Sequence, residues 1–203
     1  MNLIFATNNS HKLQEAHSIL KGHNILSLKD IGFTGDIEEN GLTLEENSII
    51  KCDAIYRFAF CNPSIKSLAD GCFADDTGLE IAALNGVPGV RTARWAGEDK
   101  DDAANRKKAL YELQNHSNRQ AQFRTVISFQ LFTDNCRPML FEGIVKGSIA
   151  LEESGDHGFG YDPIFIPENY ENTFAQLPAE VKNTISHRAR ALTKMQDYLS
   201  NPH

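Results

Sequence analysis

The sequence predicts an α/β protein: a mixed, long-stranded central sheet flanked by helices, in two lobes with an active-site groove between them. Apolar runs of strand length alternate with segments whose apolar residues recur every three or four positions, the patterns of strands and helices respectively. Two β-rich runs, residues 121–133 and 139–151, flank a short polar segment, which indicates an antiparallel hairpin of long strands.

Length and composition describe one globular domain. The chain has 203 residues, of which 41% are hydrophobic and 23% charged, values typical of a protein with a sizeable core. Because no repeat or linker interrupts it, we expect residues 1–203 to form a single domain. No apolar stretch approaches the roughly 20 residues of a membrane span, and the N-terminus lacks the pattern of a signal peptide. We therefore expect a cytoplasmic protein, with no membrane partner and with reduced thiols at its four cysteines.

The net charge restricts the class of ligand. A formal charge of −7 argues against nucleic-acid binding, which normally requires a basic face. A small anionic substrate remains compatible with it, provided that lysines, arginines, backbone N–H groups or a metal are concentrated around that substrate.

The predicted elements follow the chain in order. Residues 3–6 form a first strand, and Leu13, Ala16 and Leu20 lie on one face of the helix after it. Thr43 and Glu46 form a capping box that opens a further helix. The remaining predicted elements are strands at 25–28, 79–84 and 163–166, a helix at 101–114 and a C-terminal helix carrying Ala189, Leu192, Met195 and Leu199.

Adjacent carboxylates follow the apolar residues 72–74. Asp75 and Asp76 precede Thr77 and Gly78, so the sequence predicts a strand that ends in a turn, with oxygen ligands at its carboxyl end. Open α/β sheets bind ligands there, and carboxylate oxygens suit Mg²⁺. Since neighbouring strand residues face opposite ways, one acid can face a ligand while the other braces it. Asp, Thr and Gly also form ordinary turns, so this stretch alone leaves both interpretations open.

Further carboxylates and a polar loop come from elsewhere in the chain. Glu38 and Glu39 are the nearest candidates for completing a metal site, although such pairs usually form solvated loops. Residues 7–12 join the first strand to its helix, where backbone N–H groups, the helix N-terminus and Lys12 favour an anion. A capped polar loop is the alternative.

Two later segments combine polar and aromatic groups. Residues 158–163 include two glycines, two aromatic rings that could stack on a base, and Asp162, which could accept from ring N–H groups; rings that fill the core are the alternative. In residues 182–188, Ser186 is a credible N-cap for the last helix, which places His187 and Arg188 in its first turn. Cations oppose the helix dipole there unless they face an anion or a base acceptor.

Together these motifs resemble the noncanonical purine nucleoside triphosphate pyrophosphatases, the inosine triphosphatase or XTP/dITP diphosphatase family. The motifs occur in the family's order, and the resemblance runs from about residue 3 to about residue 199. It implies a two-lobed homodimer that uses Mg²⁺ to hydrolyse ITP, dITP and XTP to the monophosphate and pyrophosphate. Such a reaction is expected to remove deaminated purines from the nucleotide pool. Asn8 and Thr77 depart from the glycine and serine that many members carry at these positions.

The resemblance also implies residue roles. On this resemblance, Asp76 is expected to be the catalytic and metal-binding carboxylate and Glu39 the second metal ligand. The implied substrate contacts are Thr7, Asn8, Asn9, Ser10, His11 and Lys12 in the phosphate loop, Lys51, Thr77 and Lys182 beside phosphate or base, and Phe159, Gly160, Tyr161, Asp162, His187 and Arg188 in the base pocket.

Three other functions compete with this interpretation. A pyrophosphatase for modified pyrimidine or ordinary nucleotides would lack the base-pocket motif, and a regulator that only binds nucleotides would not need Asp76, Glu39 and Lys12 together. A glycosidase would need its two carboxyl groups about 5 to 9 Å apart on either side of a bond, whereas Asp75 and Asp76 are adjacent and face opposite ways.

Overall fold

The computed structural model describes residues 1–201 as strands and helices in alternation. The strands are β1 (Asn2–Phe5), β2 (Asn24–Leu26), β3 (Gly71–Ile81), β4 (Pro88–Gly89), β5 (Gln120–Leu131), β6 (Met139–Ile149) and β7 (Phe165–Pro167). The helices are α1 (Ser10–Ile19), α2 (Leu44–Cys61), α3 (Pro63–Leu68), α4 (Asp102–Glu112), α5 (Ala179–Ile185) and α6 (His187–Ser200).

One mixed sheet contains all seven strands, in the order β2-β1-β3-β5-β6-β7 with β4 paired to β3. Strand β1 runs parallel to β2 and β3, whereas β4 and β7 are antiparallel to β3 and β6. The predicted α/β class and mixed, long-stranded sheet are confirmed. Gly147 in β6 lies opposite Pro167, where a Cβ would collide with the carbonyl of Ile166, so a side chain at this position would disturb the pairing.

Strand β3 does not end at the acidic residues, and here the sequence-based prediction is wrong. It continues through Asp75, Asp76 and Gly78 to Ile81, and residues 82–84 form a short 3-10 turn where the separate strand was expected to continue. Sheet pairing overrides the turn preference of these residues, since β3 bonds to β1 near its start and to β4 near its end and also lies hydrogen-bonded beside β5. Turn propensity is a local tendency that tertiary pairing commonly outweighs.

Two compact units divide the chain, and β3, β5 and β6 pass from one to the other. Of the described residues, unit 1 contains Met1–Asp76, Thr125–Gly143 and 188–201; unit 2 contains Thr77–Arg124 and Ile144–His187. Two apolar clusters fill unit 1, one around Phe5, Phe73 and Phe129 and one around Ile4 and Ile55. Unit 2 has its own cluster, which includes Phe123, Phe165 and Phe174.

Local sequence signals explain most helix starts. Thr43 caps α2 by accepting from the N–H of Glu46 at 3.1 Å, while the Glu46 carboxylate accepts from the N–H of Leu42 at 2.6 Å. The predicted capping box is therefore present, with its return bond one residue earlier than in the standard motif. Asp101 caps α4, which falls within the predicted helix.

Two further observations concern the thiol groups of the cysteines and the length and apolar character of the helices. All four cysteines are free thiols, and Cys52 and Cys72 are buried. No helix within residues 1–201 has both the length and the apolar character needed to cross a bilayer.

Buried ion pairs join α1, β3 and α6 inside unit 1. The Arg188 side chain, 3% exposed, donates from Nε to Oδ2 of Asp75 at 2.9 Å and from a terminal nitrogen to Oε2 of Glu15. Lys12 donates to the other oxygen of Asp75 at 2.9 Å. Removing one partner of such a group leaves a buried charge uncompensated, which is far more costly than losing a surface ion pair.

We expect Glu15→Gln to lower the free energy of unfolding by about 2 kcal/mol, because Arg188 loses a charged hydrogen-bond acceptor in a buried site. The matched control is Asp53→Asn, which breaks the exposed pair with Arg57 and should cost about 0.5 kcal/mol or less. Urea unfolding of both variants measures the difference. Equal losses in the two variants would contradict a special contribution from the buried pair.

The same contacts make stability depend on pH. Burial by itself favours the neutral acid, but the Lys12 and Arg188 charges outweigh it and hold the pKa of Asp75 well below its usual range. A depressed carboxyl pKa adds stability above the unfolded-state pKa of about 3.9, and this is lost as the pH falls below that value. We therefore expect the stability difference between wild type and Asp75→Asn to be constant from pH 7 to about pH 5 and to shrink by up to about 1.4 kcal/mol per pH unit below pH 4. A difference that stays constant down to pH 3 in urea titrations would contradict this.

Candidate active site

In the loop before α1, side chains of the loop itself accept hydrogen bonds from neighbouring backbone N–H groups. Asn9 is the N-cap of the helix, and its Oδ1 accepts from the N–H groups of His11 at 3.0 Å and Lys12 at 3.1 Å. The N–H of Asn9 itself donates to Oγ1 of Thr7 at 3.2 Å. The structure therefore shows the capped loop, in which an anion would bind beside these internal bonds or replace the Asn9 acceptor. Phosphate binding by residues 7–12 stays a prediction.

A cavity of about 440 Å³ lies next to this loop within unit 1. Asn8 and Ser10 line it on the loop side, and Lys29 and Thr34 line it from the segment after β2. Small polar side chains beside a lysine are a favourable surrounding for part of an anionic ligand. A larger cavity of about 760 Å³ lies in unit 2, beside Glu80, Lys146 and neighbouring residues, and none of the predicted site residues lines it.

Asp75 and Asp76 bind different partners, as their consecutive positions in β3 require. Asp75 is 3% exposed and receives hydrogen bonds from Lys12 and Arg188. Burial lowers the pKa of Lys12 although Asp75 opposes this. Burial also acts to lower the pKa of Arg188, but the carboxylates of Asp75 and Glu15 outweigh it and raise that pKa. Asp75 is thus an ionised acceptor between two cations, and neither of its oxygens lacks a donor.

Asp76 belongs to a second, less enclosed group. Lys51 Nζ donates to Oδ1 of Asp76 at 3.0 Å and to Oε2 of Glu39 at 2.6 Å, so the two carboxylates converge on one ammonium. Burial raises the pKa of Asp76 above its usual range although Lys51 acts against it. Burial likewise disfavours the charged form of Lys51, but Asp76 and Glu39 outweigh it and raise the pKa of that lysine. A carboxylate of raised pKa is a better proton acceptor than an ordinary one.

Glu38 and Glu39, in the loop before α2, likewise differ in their surroundings. Glu39 is half-buried and reaches Lys51, whereas Glu38 is exposed. Asn47 holds the loop and the strand together, since its Oδ1 accepts from the N–H of Gly41 at 2.8 Å and its Nδ2 donates to Oδ2 of Asp76 at 3.3 Å. Sequence reasoning gave Asn47 no role, although it lies one helical turn before Lys51 and therefore on the same face of α2.

The donor set at Glu39 and Asp76 fits Mg²⁺. Both residues offer only carboxylate oxygens, and both already converge on a single cationic atom. Residues 1–201 contain no group of three or more His, Cys, Asp or Glu side chains that could enclose a metal. Mg²⁺ usually keeps several waters and uses one or two carboxylates together with substrate phosphates, so two ligands suffice.

In unit 2, the loop at residues 158–162 is built around the Asp162 carboxylate. Its Oδ2 accepts from the N–H of Phe159 at 2.8 Å and from Lys182 Nζ at 2.7 Å. Gly158 has φ +80°, and a Cβ there would collide with the same carboxylate. The glycine therefore permits both the backbone conformation and the close approach of Asp162.

A cation and two rings accompany this loop. Lys182 Nζ lies 4.9 Å from the centre of the Phe159 ring, within the range of a cation–π contact. His187 is 6% exposed and stacks on Phe123, with ring centres 4.6 Å apart.

Thr77, at the start of unit 2, lies half-buried in β3 directly after Asp76.

The structure thus brings the predicted site residues together in three groups. Within unit 1, Lys12 and Arg188 bind Asp75, and Lys51 binds Glu39 and Asp76. Within unit 2, Lys182 contacts Asp162 and Phe159. Arg188, expected at the base, is bound to Asp75 and Glu15, and its contact with a base stays a prediction. Glu15 was missed, and the signal available for it was a carboxylate three residues after Lys12 on the same helical face.

Solved structures with this fold resemble the whole chain. The structure of the Staphylococcus aureus Ham1 protein is 38% identical with a TM-score of 0.85, and the match covers 100% of both chains. A crystal structure of a nucleoside-triphosphatase or dITP/XTP pyrophosphatase from Mycobacterium abscessus is 36% identical with a TM-score of 0.73, covering 96% of this chain and 98% of that one.

Curated proteins also resemble it over nearly their full length. A dITP/XTP pyrophosphatase of Flavobacterium johnsoniae is 46% identical, with 98% of each chain covered. A dITP/XTP pyrophosphatase of Bacillus subtilis is 44% identical, with 97% of this chain and 96% of that protein covered. The model of the Ham1 family matches residues 3–198, which include every candidate site residue described above. The chain therefore belongs to the Ham1 family.

Proposed function

We propose that the protein is a Mg²⁺-dependent pyrophosphatase for the deaminated purine nucleoside triphosphates ITP, dITP and XTP. The observation that carries the proposal is the convergence of Glu39 and Asp76 on Lys51, because this is a two-carboxylate, all-oxygen donor set beside a cation. Relatives of similar length carry the name dITP/XTP pyrophosphatase. The residues of the phosphate loop, 7–12, and of the loop at residues 158–162, which we call the base loop, support the same substrate class.

The reaction cleaves the bond between the α- and β-phosphates. The oxygen of water attacks phosphorus, the bridging oxygen leaves with pyrophosphate, and the nucleoside monophosphate remains. Asp76 orients this water and takes its proton at a carboxylate oxygen. Mg²⁺ bound by Glu39 and Asp76 would supply Lewis acidity and stabilise the charge on the leaving pyrophosphate.

Cations of the chain neutralise the remaining charge. Lys12 and Lys51 both lie next to the acidic residues of β3, and the triphosphate offers them stronger partners than isolated carboxylates. Lys51 also keeps Glu39 and Asp76 close together without a metal, because one ammonium is shared by both. Positioning and electrostatic stabilisation therefore account for most of the catalysis, as is general in phosphoryl transfer.

The base loop provides the selectivity. A 6-keto purine accepts at O6 and donates at N1, whereas adenine donates at the 6-position and accepts at N1. Lys182, fixed by Asp162 and the Phe159 ring, is a donor suited to O6, and His187, Arg188 and backbone N–H groups are further candidate donors. Adenine would leave such buried donors without acceptors, which is a costly mismatch.

Assembly and location complete the proposal. We infer a cytoplasmic homodimer, in line with the family resemblance and with the free thiols of Cys52 and Cys72 in the core.

Asp76→Asn is expected to lower kcat for ITP by about 10²- to 10⁴-fold, because the amide neither binds Mg²⁺ well nor accepts the proton of water. Glu39→Gln should raise the Mg²⁺ concentration required for half-maximal activity, and EDTA should abolish the activity of the wild type. Pyrophosphate release measures all three effects. The matched control is Glu38→Gln, which changes the exposed neighbour of Glu39 and should behave as wild type. Full activity of folded Asp76→Asn would refute the assignment of the central carboxylate.

Wild-type turnover of ITP is expected to exceed that of ATP by about 10⁴-fold in kcat/KM, because a site built to hydrogen-bond a 6-keto group rejects an analogue that lacks it. Side-by-side pyrophosphate release from ITP, dITP, XTP, GTP and ATP measures this. Comparable rates with ITP and ATP would mean that the base loop does not select deaminated purines.

A further inference from the structure

Gly160, in the middle of the base loop, has both of its backbone polar groups bound by one helix. Its N–H donates to Oδ2 of Asp102 at 2.9 Å, and its carbonyl accepts from a terminal nitrogen of Arg106 at 2.9 Å. Asp102 and Arg106 are four residues apart in α4 and therefore lie on the same helical face. We call these two side chains the α4 clamp.

The α4 clamp fixes the peptide groups on both sides of Gly160. Gly160 has φ +61°, a conformation that an unrestrained chain leaves readily. The preceding residue is Phe159, and its own N–H donates to Oδ2 of Asp162. Since consecutive N–H groups on either side of the Phe159 Cα are both held by carboxylates, the direction of the Phe159 ring depends on both bonds.

Further contacts fix Arg106 and Tyr161, the residues on either side of the bonds to Gly160. Arg106 is only 16% exposed in its side chain, and its Nε donates to Oε2 of Glu153 at 2.9 Å, which orients the guanidinium. On the far side, the buried Tyr161 donates from its hydroxyl to the carbonyl of Thr92 at 2.9 Å. The loop is therefore bound at Phe159, Gly160 and Tyr161 in succession, and the clamp provides the central bonds.

Helix α4 does not depend on the clamp for its own attachment. Asn105 donates to the carbonyl of Ala93 at 3.0 Å and accepts from the N–H of Ala96 at 2.7 Å, and Ala109 and Leu113 are fully buried in the apolar cluster of unit 2. Asp102, by contrast, is exposed. Substitutions at the clamp should consequently leave the helix folded and release the loop.

From this geometry we propose that Asp102 and Arg106 are positioning residues for purine recognition. They act through the backbone of Gly160 to hold the Phe159 ring and its neighbours in the orientation that accepts a 6-keto purine. This inference rests on the proposed function, since it assigns a role within the base pocket of that enzyme. The sequence pattern does not single out either residue, because an aspartate and an arginine four residues apart on a helix usually form a surface ion pair.

Kinetics of clamp variants test the proposal. Asp102→Ala and Arg106→Ala are each expected to raise KM for ITP by about tenfold, the equivalent of one lost charge-assisted hydrogen bond, and to lower the preference for ITP over ATP. The value of kcat should change less than about twofold, because Asp76 and its neighbours are untouched. Asp102→Asn should restore near-wild-type KM, since its amide oxygen can accept the same bond from Gly160. Lys107→Ala, which removes an exposed charge from the same helix, is the matched control and should be neutral.

Hydrogen–deuterium exchange provides a readout that does not depend on activity. The amide of Gly160 should exchange faster in Asp102→Ala than in the wild type, Asp102→Asn or Lys107→Ala. If the wild type turns over ITP but the Ala variants keep its KM, base preference and exchange rate, the clamp proposal is wrong and the proposed function stands. An Asp102→Asn variant as impaired as Asp102→Ala would also overturn the clamp. If the wild type itself fails to hydrolyse ITP, the proposed function fails, and the exchange rates alone still decide whether the clamp holds the loop.

Discussion

Asp75 and Asp76 are consecutive residues of an uninterrupted strand, and the alternation of side chains along β3 imposes the arrangement around them. One carboxylate is turned into a fully bonded group with Lys12 and Arg188, and the other reaches Lys51 and Asn47. The same residue type therefore has opposite pKa shifts at adjacent positions, lowered by two cations in one case and raised by burial in the other. A turn at this point would have removed the constraint that separates the two roles.

The separate positions of Asp75 and Asp76 also determine where cations of unit 1 are held. A net-acidic chain can receive a triphosphate only where cations are concentrated, and three cations of unit 1, Lys12, Lys51 and Arg188, bind the two acids of β3. Each of these cations is shared between two or more carboxylates or held in a buried pair, so little reorganisation is needed before an anion arrives. Preorganised charges of this kind contribute more than flexible surface charges, because the cost of orienting them is met during folding.

Much of the fold was predictable from local pattern. The first strand and its helix, the capped start of α2, the long hairpin strands β5 and β6 and the C-terminal helix all follow from periodicity and capping residues. The course of β3 was not, because Asp, Thr and Gly favour turns locally and the pairing of β3 with β1, β4 and β5 keeps them extended. The role of Glu15 was likewise hidden, since its partner Arg188 lies 173 residues away in sequence.

The sequence by itself determined which chemical groups are present and their order: a polar loop ending in Lys12, a pair of acids, a glycine-flanked aromatic loop and a basic start to the last helix. These depend on residue type and spacing, which are local properties. Only the tertiary structure decided which carboxylate faces Lys51, that Arg188 is bound between Glu15 and Asp75, and that α4 holds Gly160 from both sides. These are contacts between segments far apart in the chain, and their geometry is set by sheet pairing and core packing, which no local pattern records.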